Sequence, residues 1–368
     1  MAKNNLLPIA GAFAGVLLAT APVLSQDGVW AMKQPLPAPR NEVALAAVGG
    51  KVYVVGGSVG GEAVPLIDEY DPPSNGWRVR SPMPKGLDHL GVAVIDGKII
   101  TVGGFIGSVH RGAVSDVYQY DPAADAWRTR AAMPKGLDHL GIAVVDGKII
   151  TVGGFIGSVH RGAVSDVYEY NVAADTWRTL PPIKNPRGSV ATTVLDGKVH
   201  AVGGRGVDNS FTVGTHEVFD PAAGQWSERA PLPQPRDHMA LVALDGKLHA
   251  IGGRVTNPAS RVGTHDIYDP KTDSWSPGPP LPTARSGLAY ALYQGMAIVL
   301  GGELPPDTFS NNEAFDSKSG QWRTLMAMPH GRHGTSAAVI GKNLYIAAGS
   351  LKPGSGEVTD QLIVFTMP

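Results

Sequence analysis

Two kinds of residue recur in this 368-residue sequence at spacings that could do chemistry. The first is arginine. Arg40, Arg187, Arg236, Arg285 and Arg332 each stand sixteen residues before a pair of small residues, and Leu87 and Leu137 hold the equivalent place before two further pairs. A guanidinium is a planar fork of donors that grips a carboxylate or phosphate through parallel bonds and keeps its charge at any physiological pH. The second is an acid beside a histidine. Asp88-His89, Asp138-His139 and Asp237-His238 follow directly on the same position, and Arg332 is followed by His333. Histidine titrates near neutrality and a carboxylate can orient it, so such pairs could act as general bases or hold a metal. More cations follow the small pairs: Arg205, Arg254 and Arg261, with His110-Arg111 and His160-Arg161 in two long loops.

What must position these residues is a repeat. Residues 96–118 and 146–168 are identical, and residues 78–127 differ from 128–177 at only nine positions, so one unit has been copied with little divergence. In weaker form the unit fills the chain from about residue 30. A Gly-Gly pair closes an apolar run at Gly56, Gly103, Gly153, Gly203, Gly252 and Gly301, with Ala348-Gly349 as a seventh version. After six of these comes an aromatic, at Tyr70, Tyr120, Tyr170, Phe219, Tyr268 and Phe315, and a Trp stands seven residues beyond each.

Each unit of 47 to 50 residues reads as four short strands. An alternating first strand such as "GVAVID" turns on Asp-Gly, at Asp96, Asp146, Asp196 and Asp245, a dipeptide that supplies the positive-φ pair of a tight hairpin. The second strand ends at the glycine pair, a variable loop leads to a third strand that carries the aromatic, and an Asp-Pro turn leads to a fourth that begins near Trp. Units start near residues 30, 77, 127, 177, 226, 275 and 322. Four-stranded antiparallel units with no helical period between them predict an all-β fold, a seven-bladed β-propeller, with a six-bladed ring as the alternative. The first strands, "ALAAV" and "ATTV" among them, are rich in small residues, as required where strands converge on an axis. Trp30 begins "WAMKQPLP", which matches "WRTRAAMP" at 127–134, while Phe365 has no Trp after it. The N-terminal strand is therefore expected to complete the last blade, closing the ring and removing both free sheet edges.

The apolar run ending in Gly-Gly, followed by the spaced Tyr and Trp, resembles the signature of the kelch family, and the resemblance covers essentially the whole chain after residue 25. It implies a propeller whose members serve as adaptors, cytoskeletal binders or enzymes. In peptide-binding relatives, arginines matching the pre-strand position line a shallow bowl that holds acidic segments. That resemblance carries a ligand-binding role to Arg40, Arg187, Arg236, Arg285 and Arg332, with Leu87 and Leu137 departing from it. A competing reading has the same arginines bracing blades by bonding loop carbonyls, a task that recurs around a ring equally well. For the Asp-His pairs, strand alternation sets neighbouring side chains on opposite faces, so no catalyst, metal or cofactor is assigned to them. His200 and His249 stand where Tyr53 and Tyr345 stand in other units and are expected to pack.

Composition bounds the rest. There are 47 Gly, 30 Pro and 17% charged residues, which suits short strands and many turns. The formal charge of −1 gives no reason to expect nucleic acid as a partner. The first 25 residues carry Lys3 as their one charge and an apolar run from Leu6 to Leu18, too short to span a membrane. With Val23 and Ser25 at the −3 and −1 positions they read as a signal peptide cleaved after Ser25, leaving residues 26–368 as one propeller domain in the periplasm or secreted. The chain has no Cys, so its stability is expected to come from packing rather than disulfides. Absence of Cys also excludes the Tyr–Cys crosslink that the kelch copper-radical oxidases require. The expectation is a monomeric exported binding module. Its Arg- and His-rich face, comprising the five pre-strand arginines with Arg205, Arg254, His89, His139, His238 and His333, would take an acidic peptide, an acidic glycan or an anionic envelope partner. The alternative function, implied by resemblance to kelch sialic-acid mutarotases, is a carbohydrate isomerase using the same bowl.

Overall fold

Each unit of the repeat folds as a four-stranded antiparallel sheet. In the computed structural model, which describes Met1 and residues 27–107, 112–158, 160–207, 211–255, 260–354 and 356–368, every regular element is a strand. The predicted signal peptide with its cleavage point, and the His110-Arg111 pair, lie outside the described residues. Blade 1 runs Ala44–Val48, Lys51–Val55, Ile67–Asp71 and Gly76–Val79 from the axis outward. Blades 2 to 6 repeat that order, with innermost strands Gly91–Ile95, Gly141–Val145, Ala191–Leu195, Ala240–Leu244 and Ala289–Tyr293.

Blade 7 is a composite. Ala337–Ile340, Asn343–Ala347 and Leu362–Thr366 come from the C-terminal end, and the outermost strand is Val29–Met32. Trp30 pairs in register with Phe365, the aromatic that had no Trp of its own, and their rings lie 5.0 Å apart. Innermost strands touch in cyclic order, blade 7 against blade 1 included, so the ring is closed with seven blades.

The apolar core is divided accordingly. It forms seven clusters, each built from two adjacent blades. One holds Leu87, Tyr53 and Tyr120 between blades 1 and 2, and another holds Tyr293, Leu344 and Phe365 between blades 6 and 7. The tryptophans hold the outer rim. Each indole N–H donates to a backbone carbonyl of the preceding blade at 2.7–2.9 Å, from Trp77 to Gln34 onward around the ring, and Trp30 completes the belt by donating to Met326. Trp30 itself is half-buried.

The glycine pair has a specific task. At Gly153, φ is +58° and an added Cβ would sit 2.2 Å from the Arg187 carbonyl oxygen of the next blade, a distance no side chain tolerates. The N–H of the following Gly154 donates to that same oxygen at 2.9 Å. The equivalent bond recurs at all seven junctions, including Gly349 to Arg40 across the closure. Gly-Gly is thus a docking point between blades.

Candidate functional site

Three consecutive residues per blade build one face of the ring, and they have three different fates. The first is the Arg/Leu position. The structure places all five arginines inside the blades, at 0–1% exposure, instead of at the open rim. Arg236 shows why. Its Nε donates to Gly252 O at 2.9 Å, Nη2 to Ala250 O at 2.9 Å, and Nη1 to Gln234 O at 3.0 Å and Asp266 Oδ2 at 2.8 Å. The whole fork is spent within its own blade, tying the segment before strand one to strands two and three. Arg40 with Asp68, Arg187 with Glu217 and Arg285 with Glu313 repeat the pattern. Arg332 has no acidic partner among the described residues and bonds the Gln361 side chain, so burial drags its pKa down to about 10. Where Leu87 and Leu137 replace Arg, the acid is replaced by Tyr118 and Tyr168, and each Leu–Tyr pair sits in one apolar cluster. The five arginines therefore brace, but within blades; between blades it is their backbone carbonyls that bond.

The second residue pairs as an isolated antiparallel bridge with the residue after the small pair: Asn41 with Ser58, Asp88 with Phe105, Asp138 with Phe155, Gly188 with Arg205, Asp237 with Arg254, Ser286 with Glu303 and His333 with Ser350. This register carries Arg205 and Arg254 to Asp237, where Arg205 Nε lies at 2.6 Å and Arg254 Nε at 2.9 Å from its carboxylate oxygens. The two cations and His238 outweigh the effect of burial and hold the Asp237 carboxyl far below its ordinary range.

The third residue is left-handed in every blade. Glu42, His89, His139, Ser189, His238, Gly287 and Gly334 all have φ between +46° and +64°. A left-handed φ ends strand alternation, so side chains one apart can meet, and this overturns the expectation that each Asp and His part company. Nδ1 of His89, His139 and His238 lies 2.9, 2.7 and 2.7 Å from Oδ1 of Asp88, Asp138 and Asp237. Each imidazole is oriented by the buried acid before it, with Nε2 left for other partners.

These rings converge above the axis on a bowl of about 370 Å³, whose wall includes Glu42, His89, His139, His160, His238, Arg254, Glu303 and His333. Ring centroids are 4.6 Å apart for His89 and His139, 4.8 Å for His139 and His160, and 5.2 Å for His160 and His238. Phe105 and Phe155 stand edge-on beneath them. His89 Nε2 also reaches Glu42 Oε2 at 3.2 Å; burial alone lowers its pKa, but Glu42 and Asp88 reverse the sign and raise it. Burial and neighbouring cations depress His139, His160 and His238, with His160 pushed down to about 2, and burial lifts Asp138 to about 8. His333 differs: its Nε2 is engaged by Gly354 O at 2.7 Å, with Glu303 Oε2 at 3.5 Å.

Of the residues predicted for the binding face, His89, His139, His238, His333 and Arg254 are brought together in the bowl, with Arg205 just behind through Asp237. The wall positions of Glu42 and Glu303 were not singled out by sequence reasoning. For Glu42 the signal was present, because Gly287 and Gly334 occupy the same repeat position as Glu42 and the three histidines, and glycine recurring at one site of a repeat marks a left-handed turn.

A closed seven-bladed ring with a Gly-Gly junction between blades and a Tyr/Phe–Trp pair on the outer strands defines a class of β-propeller. The Kelch motif matches at residues 39–84, 88–134, 138–184 and 235–282, just over half the chain, and the protein belongs to the kelch-repeat family. Among solved structures, YjhT is similar over 89% of this chain and 95% of its own, with 17% identity and a TM-score of 0.56. A fungal alcohol oxidase of the AA5 family, solved in complex with copper, is similar over 93% of this chain and 77% of its own, with 16% identity and a TM-score of 0.74. Such identities establish a common fold alone. No curated protein matches the sequence.

Proposed function

We propose that this chain is an exported binding module, working in the periplasm or outside the cell, whose axial bowl takes an acidic saccharide. The observation that carries the reading is the left-handed ring. A non-glycine residue there costs about 1–2 kcal/mol, and glycine at Gly287 and Gly334 spares two blades that cost. Three blades nevertheless carry His and one carries Glu, all turned to the same bowl. Strain maintained where the fold does not need it favours a site.

The chemistry of the wall favours a small ligand with both a carboxylate and hydroxyls. Arg254 supplies donors for the carboxylate, while Glu42, Glu303 and imidazole Nε2 atoms accept from hydroxyls. A volume near 370 Å³ suits one or two sugar units better than an extended peptide. The oriented Asp–His pairs also favour a second reading, a carbohydrate isomerase, since an imidazole held by an acid, as His139 is by Asp138, can take a proton from an anomeric hydroxyl through Nε2.

Calorimetric titration in the presence of EDTA, with a hexuronic acid, a nine-carbon sugar acid and their neutral counterparts, tests the proposal. Binding of an acid, at least tenfold tighter than its neutral counterpart and lost in Arg254→Gln, is expected. Equal affinity for the neutral sugars, or indifference to that substitution, overturns it. Anomer exchange followed by NMR on the same samples decides the isomerase reading.

A further inference from the structure

We infer that His139, His160 and His238 form a binding site for a single divalent transition-metal ion in the wall of the same bowl, an inference that does not depend on the saccharide reading. His139 and His238 come from equivalent turns of blades 3 and 5, and His160 comes from the long loop after Gly153-Gly154, so three chain segments converge. Their ligand nitrogens lie within 4.8 Å of one another. Imidazole nitrogens bind zinc at about 2.0–2.1 Å, which places three of them roughly 3.4 Å apart around a tetrahedral ion. Closing the present spacing needs a swing of about 1 Å per ring, within the freedom of side chains at a bowl wall.

The surroundings are those of a built site. Asp138 and Asp237 hold Nδ1 of His139 and His238 at 2.7 Å, and this contact leaves Nε2 as the ligand atom of each ring once the ion binds. Among the described residues, His160 Nε2 is buried with no hydrogen-bond partner. Asp138 Oδ2 is likewise buried with no hydrogen-bond partner among the described residues. A cation already visits the cluster: Arg254 Nη2 donates to His238 Nε2 at 3.1 Å. A metal ion would displace that one contact while Arg254 keeps its Nε on Asp237. His160 would carry its proton on Nδ1 and release the 3.3 Å contact from Arg205 Nη1. Three neutral imidazoles, in a chain without Cys, favour zinc, copper(II) or nickel over calcium or magnesium. Three protein ligands also leave a coordination position facing the bowl.

The test uses the full chain, stripped with EDTA, dialysed and titrated with zinc chloride alone. One zinc per chain is expected, with affinity falling at least about 100-fold in each of His139→Gln, His160→Gln and His238→Gln. The exposed His330 serves as control, and His330→Gln should bind as the parent does. Copper(II) added to the unaltered chain should give an EPR spectrum split by three imidazole nitrogens, which reads the site even where a variant does not fold. Absence of stoichiometric zinc binding, retention of it in the three variants, or fewer than three nitrogens on copper overturns the inference. Because saccharide titrations are run in EDTA, failure of either proposal leaves the other readable.

Discussion

Arg236 Nη1 and Asp266 Oδ2 meet at 2.8 Å, both side chains almost wholly withdrawn from water. An ion pair at that depth is poorly replaced by half of itself, because removing one partner strands the other charge. Arg236→Leu should therefore lower stability by about 3–5 kcal/mol in denaturant unfolding. Blades 2 and 3 supply the compensating change, since Leu87 and Leu137 stand where Arg does and Tyr118 and Tyr168 stand where the acid does. Arg236→Leu with Asp266→Tyr should recover most of the loss. If the double variant is no more stable than the single one, the pair is not the unit that the repeat exchanges.

Ring closure rests on Trp30. Its half-buried indole packs against Phe365 and bonds Met326 O at 2.7 Å. Trp30→Ala should cost about 2–4 kcal/mol, near the lower end of large-to-small changes at an aromatic. Trp30→Phe, which removes the hydrogen bond and part of the contact area, should cost about 1 kcal/mol. Thermal melting of the two variants beside the parent checks both values; an alanine variant that melts with the parent would show that the belt is closed without it.

Two buried histidine pairs set an acid limit. His200 Nδ1 lies 3.0 Å from His216 Nε2 and His249 Nδ1 lies 2.9 Å from His265 Nε2. Burial depresses all four, to about 4 for His200 and His249 and about 3 for His216 and His265. The unfolded chain, with ordinary histidines near 6.5, binds more protons below that pH than the folded one. Stability is thus fully present above about pH 6.5 and is lost as pH falls toward 4, by on the order of 3 kcal/mol per histidine. Blade 2 carries Ile100 and Val117 at the corresponding positions. His249→Ile with His265→Val should flatten the slope of unfolding free energy between pH 6.5 and 4; an unchanged slope would place the acid limit elsewhere.

Ser189 offers a clean measure of left-handed strain. Its φ is +49° and its hydroxyl is buried without a hydrogen-bond partner among the described residues. Ser189→Gly should stabilise by about 1 kcal/mol, since glycine relieves the backbone and removes an unsatisfied polar atom. A loss of stability in chemical unfolding would mean that the left-handed turn is not strained.

The repeat was legible from sequence because glycine, tyrosine and tryptophan mark backbone needs that recur every blade, and even the closing partner of Phe365 was visible as a surplus Trp30. The direction of a side chain was less legible. Arg40, Arg187, Arg236, Arg285 and Arg332 recur at one position, and recurrence alone does not separate a guanidinium aimed at solvent from one folded back on carbonyls. The deciding clue was a second position, two residues before the aromatic, where an acid accompanies four of the five arginines and tyrosine accompanies leucine. His139 and His238 were found but not paired with their acids, because alternation along a strand was assumed through a turn that φ values of +46° and +49° interrupt.

Because the core is parcelled between neighbours and each junction is sealed by the same glycine-to-carbonyl bond, a duplicated segment brings with it two compatible seams. Tandem copying at this locus therefore changes circumference without requiring new interfaces elsewhere. At residues 78–177 it also delivers a second acid-oriented imidazole, His139 beside His89, to the mouth of the axis. Growth of the wheel and enrichment of its hub are one genetic step.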